Sequence, residues 1–296
     1  MSSGAAGGGR PVSGGELTLA GMPQRLYAAT PTRLTTWMDC PRRYRYAYLD
    51  RPPPRRGPPW AHNSLGSSVH LALAGWWRLP LTRRTPSAAG ALLSTHWGKD
   101  GYRDPEQSTR WRERARALVE RYVSTLDPRD EPQGVERTVA LRHGGAALSG
   151  RIDRIDERPT PDGRRELVVV DYKAGRHVST DDDARCSLAL AVYAAAAARV
   201  LRQRCHRVEL HHVPSGTVAG WEHTAETLDR HLGRAEALAE ECREADASFA
   251  DEANRDAAFP ARPGARCAWC DWSPSCPEGR TAAPARRSWD GLDEPD

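Results

Sequence analysis

One short stretch constrains the fold and the chemistry of this chain more than any other. It reads Val168-Val-Val-Asp171-Tyr-Lys173-Ala-Gly175. β-Branched residues favour strands, so this run predicts a buried strand that ends at an acid and an amine. Because Asp171 and Lys173 are two residues apart, their side chains leave a strand on the same face. Such a pair can hold a cation and steady an attacking water, although an ordinary ion pair explains the same residues.

The lysine in this stretch stands out against the rest of the composition. Of 43 basic residues only Lys99 and Lys173 are lysines, and the others are arginines. Since the chain uses arginine nearly everywhere that it needs a cation, a lysine at position 173 indicates that a compact, titratable ammonium group is required there.

Length, charge and cysteine content limit the class of protein. A chain of 296 residues can bury one large core or two small ones. Residues 1–60 are strongly basic, which suits a polyanionic partner, although solvated arginines explain the charge equally well. The chain has no apolar run long enough to span a membrane or act as a signal peptide, and its 7 cysteines do not suggest a disulfide framework. We therefore expect a soluble cytoplasmic protein.

The hydrophobic pattern predicts helices and strands that alternate along the chain. We expect disorder in the Gly/Ser-rich residues 1–25 and in the polar residues 280–296. A helical insertion is predicted at about 80–130 and a cysteine-rich segment at 260–279. Further helices are predicted from the Thr30-Pro31 cap, at 65–77, 184–203 and 224–246, and strands at 135–142, 146–157, 166–172, 206–213 and 217–222.

Two polar residues lie in otherwise apolar elements. Asp153 lies between Ile152 and Ile155 on the second arm of the predicted hairpin, where a buried acid needs a partner or a metal. His70 lies on the small, apolar helix 65–77. A lone histidine on such a helix is usually structural, so the residue pattern alone does not make it a metal ligand.

Arginines alternate with aromatic residues near the amino terminus. The segment Cys40-Pro-Arg42-Arg43-Tyr44-Arg45-Tyr-Ala-Tyr contains three arginines that can contact phosphates and tyrosines that can stack on bases. We therefore predict that Arg42, Arg43, Tyr44 and Arg45 bind nucleic acid. A buried aromatic face with exposed arginines is the alternative.

Three cysteines near the carboxyl terminus predict a metal centre. Cys267, Cys270 and Cys276 follow a C-x2-C-x5-C spacing, which is typical of thiolate-bound metals and not of three unrelated thiols. Three ligands leave a tetrahedral site one short, and Cys40 is the best candidate for the fourth. All-cysteine ligation is compatible with a [4Fe–4S] cluster or with zinc.

These motifs together resemble RecB-type nucleases of the PD-(D/E)XK superfamily. The resemblance is strongest to the iron–sulfur branch found in AddB-like proteins and CRISPR-adaptation nucleases, and it covers residues 30–277. It rests on five motifs in the family's order, which are Thr32-Arg-Leu-Thr-Thr-Trp-Met-Asp-Cys40-Pro-Arg-Arg-Tyr44, Gly66-Ser-Ser-Val-His70, Gly150-Arg-Ile-Asp153, Asp171-Tyr-Lys173 and the closing cysteines. One departure is Ala189, which replaces the glutamine that the family often places four residues before a tyrosine, here Tyr193.

The resemblance implies an α/β protein with a single nuclease domain over residues 26–279. Its restriction-endonuclease-like core has helices that flank a central mixed sheet, and a cysteine-ligated [4Fe–4S] cluster joins the two ends of the domain. Zinc is the second choice for that centre. It implies that His70, Asp153 and Asp171 bind Mg²⁺ or Mn²⁺, that Lys173 acts on the attacking water, and that Tyr193 belongs to the catalytic site.

The function that follows is a metal-dependent DNA nuclease, expected to be an exonuclease in DNA repair or recombination. The alternative is an inactive DNA-binding scaffold in a helicase–nuclease complex, with Ala189 as a first sign of decay. A zinc-stabilised interaction module would leave the Asp/Lys constellation unexplained. The chain has no Walker-type phosphate-binding motif, so processive digestion of DNA would require a separate helicase.

Overall fold

A six-stranded mixed sheet forms the centre of the computed structural model, which describes residues 26–160 and 162–292. Helices flank the sheet, and the predicted α/β class is therefore confirmed. The predicted disorder of residues 1–25 lies outside the described residues. Within the described ranges, no helix combines the length and the apolar character needed to cross a membrane.

Strands and helices alternate along the chain much as the hydrophobic pattern predicts. The order is β1 (Tyr27–Ala29), α1 (Pro31–Asp39), α2 (Pro41–Tyr48), α3 (Ala61–Trp77), α4 (Pro86–Thr95), α5 (Pro105–Val123), β2 (Gly134–His143), β3 (Ala146–Pro159), β4 (Arg165–Lys173), α6 (Asp181–Cys186), α7 (Leu188–Leu201), β5 (Cys205–His212), β6 (Thr217–Glu222), α8 (Ala225–Ser248), α9 (Arg255–Ala258) and α10 (Pro277–Ala282). The predicted cap is present, because the Thr30 hydroxyl accepts a hydrogen bond from the backbone N–H of Arg33.

The long strand β3 organises the sheet. It pairs with β2 in an antiparallel hairpin, with β1 in parallel and with β4 in antiparallel, and β4 continues to β5 in parallel and then to β6. The last pair between β3 and β4 joins Arg154 to Val170. The two strands separate beyond this pair. Asp153 on β3 and Asp171 on β4 are the first residues after the separation, and we call this position the fork.

Strand β4 is buried on both faces, as the run of valines predicts. Leu167 and Val169 belong to a core that helices α1, α7 and α8 cover. Val168 and Val170 face a second core beneath α3, α4 and α5. The central position of β4 between two layers explains why its residues are apolar without alternation.

Two predictions about helices and tails are corrected. The helix predicted at 184–203 is broken at Ser187, whose hydroxyl accepts a hydrogen bond from Leu190 N and so starts a new helix, α7. The tail predicted to be disordered from residue 280 is ordered up to Leu292. Ser288 O accepts a hydrogen bond from Ala61 N at 3.0 Å, and Leu292 is buried in the core beneath α3. Only residues 293–296 lie outside the described part.

Candidate active site and cysteine cavity

Asp171 and Lys173 meet at the end of β4. The ammonium Nζ of Lys173 lies 2.7 Å from Asp171 Oδ2, so the two side chains share a face as the strand spacing predicts. This carboxylate oxygen is buried and receives no well-aligned hydrogen bond. Burial raises the pKa of Asp171, and the charge of Lys173 opposes that shift. A buried carboxylate needs positive charge nearby, which Lys173 supplies and which a metal ion would reinforce.

Asp153 on β3 is held by the backbone of the neighbouring strand β4 and by helix α3. Its Oδ2 accepts a hydrogen bond from the backbone N–H of Tyr172 at 2.8 Å. Its Oδ1 lies 3.2 Å from His70 Nδ1. Burial alone would lower the pKa of His70, but the hydrogen bond to Asp153 and the nearby carboxylates outweigh it, and the pKa is raised. The structure therefore brings together His70, Asp153, Asp171 and Lys173.

Glu136 is a site residue that the sequence reasoning missed. One ligand atom from each of His70, Glu136 and Asp153 lies within 4.8 Å of the others, close enough to share one metal ion. Burial raises the pKa of Glu136, and the charge of Asp153 adds to the shift. An exposed arginine, Arg151, pairs with the Glu136 carboxylate at 3.0 Å on its outer side.

The backbone at Glu136 is strained. Its φ of 51° lies in the left-handed region that side chains other than glycine rarely adopt. The hairpin register places this residue opposite Asp153. The signal was present in the sequence, because the two-glycine turn pairs His143 with Ala146, and counting outward along both arms brings 136 beside 153.

Two carboxylates and one imidazole with a third carboxylate nearby form a donor set that suits Mg²⁺ or Mn²⁺. A metal ion beside Asp171 would add to the positive charge that Lys173 already supplies to this buried carboxylate. The residues that the sequence assigns to a hard divalent metal are thus compatible with that metal.

Tyr193 lies on α7 against the sheet. Its ring packs on Gly150 so closely that an added Cβ on the glycine would lie 2.2 Å from the ring atom Cε1. Burial, assisted by the charges of Asp171 and Asp153, raises the pKa of Tyr193 to about 12. The phenol therefore stays protonated and can only donate or accept a hydrogen bond at neutral pH. Ala189, one turn earlier, offers no polar group to the site.

A buried network supports the strand end from behind. Arg154 is 3% exposed and donates a hydrogen bond to the Tyr172 hydroxyl at 3.0 Å. Its guanidinium also pairs with Asp156 at 2.8 Å and lies over the ring of Trp77. Because Tyr172 N holds Asp153, this network fixes a residue of the site without touching it.

Comparison with known proteins assigns the family. The sequence profile of the PD-(D/E)XK nuclease superfamily matches residues 28–277. The chain is a member of the PD-(D/E)XK nuclease superfamily. No curated protein sequence matches it significantly. Among solved structures, the crystal structure of SSO0001 aligns over 85% of this chain and 86% of that chain, with 13% sequence identity and a TM-score of 0.37.

A second polar site of this PD-(D/E)XK protein lies where the two ends of the domain meet. A cavity of about 430 Å³ opens beside the segment after α1. Four cysteines line it, Cys40, Cys267, Cys270 and Cys276. Gly279 closes one side, where an added Cβ would lie 3.3 Å from the sulfur of Cys276.

Polar groups around this cavity suit thiolate ligands. The backbone N–H of Arg262 points at Cys40 Sγ at 3.5 Å, and that of Gly279 points at Cys276 Sγ at 3.4 Å. Without a metal, burial raises the pKa of Cys270 and of Cys276, so both thiols hold their protons at neutral pH. A metal would have to displace those protons.

The arginine-rich segment of the nuclease domain does not form the predicted DNA-binding surface. Tyr44 is fully buried, and its hydroxyl donates a hydrogen bond to Asp246 at 2.9 Å, so its ring cannot stack on a base. Arg42 and Arg45 are each 12% exposed and pair with Asp256. These three residues anchor α2 to the carboxyl-terminal part, and the buried aromatic face is the better interpretation. The side chain of Arg43 is 40% exposed, so DNA binding stays a prediction for this residue and not for the other three.

The other cysteines divide between core and surface. Cys205 and Cys242 are buried, as core residues should be, whereas Cys186 at the end of α6 is exposed. The exposed thiol lies away from the cavity lining and serves as a natural control for it.

Proposed function

We propose that this protein is a metal-dependent deoxyribonuclease that hydrolyses phosphodiester bonds. The observation that carries the proposal is the meeting of Asp153, Asp171 and Lys173 at the fork between β3 and β4, with His70 bonded to Asp153. Membership of the PD-(D/E)XK superfamily supports the same chemistry. We further propose that the action is exonucleolytic and serves DNA repair or recombination, because the five motifs follow the order of RecB-type nucleases.

His70, Asp153 and Asp171 would hold Mg²⁺ or Mn²⁺. Glu136 has a ligand atom within 4.8 Å of those of His70 and Asp153 and would be a further ligand. The ion supplies a lowered pKa for a bound water and charge neutralisation at the scissile phosphate. Lys173 is 46% exposed, so its ammonium can reach the substrate while Asp171 holds it in position. It would donate hydrogen bonds to the attacking water or to a phosphate oxygen. The protonated Tyr193 hydroxyl would donate to the phosphate from the opposite layer.

The cysteine cavity is proposed to hold a [4Fe–4S] cluster with a structural role. Four cysteines line the cavity, which suits either a [4Fe–4S] cluster or zinc, and the resemblance to the iron–sulfur branch is the reason for preferring the cluster. Brown colour with visible absorbance and stoichiometric iron would support it, whereas a colourless protein with bound zinc would exclude it.

Partners and location follow from this assignment as proposals. DNA is the substrate, and a separate helicase would supply translocation. A thiolate-bound cluster is maintained in a reducing compartment, which supports a cytoplasmic location.

The test is cleavage of end-labelled single- and double-stranded DNA by anaerobically purified protein, with Mg²⁺ or Mn²⁺ and with an EDTA control. We expect metal-dependent products that disappear in Lys173→Ala. Mononucleotide products would support an exonuclease, whereas internal fragments would indicate an endonuclease and overturn that part of the proposal. DNA binding without any product would favour the scaffold alternative, for which Ala189→Gln is the next variant to test.

A further inference from the structure

Trp269 forms an exposed aromatic surface beside the cysteine cavity. It lies between Cys267 and Cys270 in a short 3₁₀ helix and is 36% exposed. Its ring contacts the buried ring of Trp60 at 5.3 Å between centroids. The imidazole of His62 contacts it edge-on at 5.8 Å. Buried and half-buried aromatic residues therefore support the ring from one side.

The surface is rigidly built. The indole N–H of Trp60 donates a hydrogen bond to Asp271 at 2.8 Å, and Asp271 also pairs with Arg56 at 2.6 Å. Trp60 is only 8% exposed. This buried support fixes the ring of Trp269 from below, so that little conformational freedom is lost when a ligand stacks on it.

One positive charge lies over the ring. The guanidinium of Arg286 is 5.4 Å from the Trp269 ring centre, and the residue is exposed. The carboxylate of Asp271 pairs with Arg56, and that of Asp290 pairs with Arg287. An aromatic ring with an overlying arginine matches a nucleobase and its phosphate.

The same surface lies against the helix that carries His70 of the candidate active site, because the Trp269 ring contacts His62 on that helix. His62 and His70 lie on one helix, α3, eight residues apart. At a rise of 1.5 Å per residue they are separated by about 12 Å along its axis.

We propose that Trp269, with Arg286, is a stacking platform that receives a base of single-stranded DNA whose backbone runs along α3 to the active site. The inference deepens the proposed nuclease function. The ligand is single-stranded because a base inside a duplex presents no free face to an indole ring. The base occupies the side of the ring that Arg286 covers, and the guanidinium turns to the adjacent phosphate.

The experiment measures binding of a fluorescent oligothymidylate to the full-length protein in the Lys173→Ala background, in EDTA, so that cleavage plays no part. Trp269→Ala is expected to weaken binding about 5- to 150-fold, the range for one stacked base, while Trp269→Phe retains most of the affinity. Arg286→Ala is expected to reduce the slope of log affinity against log salt by about 0.7. The exposed Arg243→Ala on α8 is the matched control and should change neither quantity.

Unchanged affinity in both Trp269→Ala and Arg286→Ala would overturn the proposal. Iron and zinc content is measured in each variant, since Trp269 lies between two cysteines. If Trp269→Ala loses metal, the test rests on Arg286→Ala, because Arg286 lies outside the cysteine segment. An Arg286→Ala variant with the affinity and salt slope of its parent would overturn the platform. Failure of the wild-type protein to cleave DNA would remove the proposed function but leave this binding result standing.

Discussion

The carboxylate fork and the cysteine cavity are built in opposite ways. At the fork, adjacent strands bring Asp153 and Asp171 together, and a backbone hydrogen bond from Tyr172 fixes the first of them. At the cavity, Cys40 contacts the backbone of Arg262, which lies 222 residues later in the chain. The fork is organised by sheet register, whereas the cavity depends on two distant segments remaining in contact.

This difference determines what a metal does in each place. The fork keeps its geometry through the sheet and through the buried Arg154, so a metal bound there would not be needed to hold the fold together. The cavity is closed by two short 3₁₀ helices and by the short helix α10, and these three elements bury only Ala268 and Gly279. A metal that links its sulfurs would replace the missing core, because binding free energy then becomes folding free energy.

Loss of one cavity cysteine should produce the largest change in stability. Cys40→Ser is expected to lower the free energy of unfolding by up to about 5 kcal/mol, the estimate for releasing the long loop that Cys40 would close with the carboxyl-terminal cysteines. Cys186→Ser is the matched control, because that thiol is exposed and does not line the cavity. Anaerobic urea unfolding with metal analysis measures both. Equal unfolding midpoints would show that the cavity does not hold the domain together.

The fork should respond in activity and not in stability. Asp153→Asn keeps an oxygen that accepts the hydrogen bond from Tyr172 N but removes the charge. Cleavage should fall about 10²- to 10³-fold, the usual effect of losing one electrostatic contact in a transition state. Urea unfolding should change little. Asp229→Asn on the exposed face of α8 is the control, and an equal loss of rate in that variant would contradict the assignment.

The sequence predicted the parts of both regions that depend on local pattern. The valines of β4, the Asp/Lys spacing, the Thr30 cap and the Gly144-Gly145 hairpin each encode their structure within a few residues, and all of them are present. The cysteine spacing likewise identified residues that share one cavity.

The rest depends on contacts between distant residues. Nothing near Tyr44 in the sequence shows that its hydroxyl meets Asp246, so the arginine-aromatic pattern was read as a surface. The ordered tail has the same origin, since Ser288 is fixed by Ala61. Glu136 was missed for a different reason: its role appears only when the two arms of the hairpin are aligned.

A smaller effect tests how tightly α7 is packed against the fork. Gly150→Ala would place a methyl group 2.2 Å from the Tyr193 ring. The resulting shift should cost about 1–3 kcal/mol of unfolding free energy and should also slow cleavage by moving Tyr193. Gly145→Ala, which meets no atom within 4 Å, is the control. The double variant Gly150→Ala/Tyr193→Ala should recover part of the stability but not the activity, and a purely additive loss would rule out the contact.

The smallest expected effect concerns backbone strain at Glu136, which lies beside the fork. Glu136 holds a φ of 51° in a position where glycine would be unstrained. Glu136→Gly should therefore raise the unfolding free energy by about 1 kcal/mol relative to Glu136→Gln, because both variants lose the charge but only glycine relieves the backbone. Both should weaken Mn²⁺ binding by about tenfold or more in calorimetry. A gain in stability paired with a loss of metal affinity would mean that the fork keeps a strained residue for its carboxylate. Equal stability of the two variants would show that the hairpin stores no such strain.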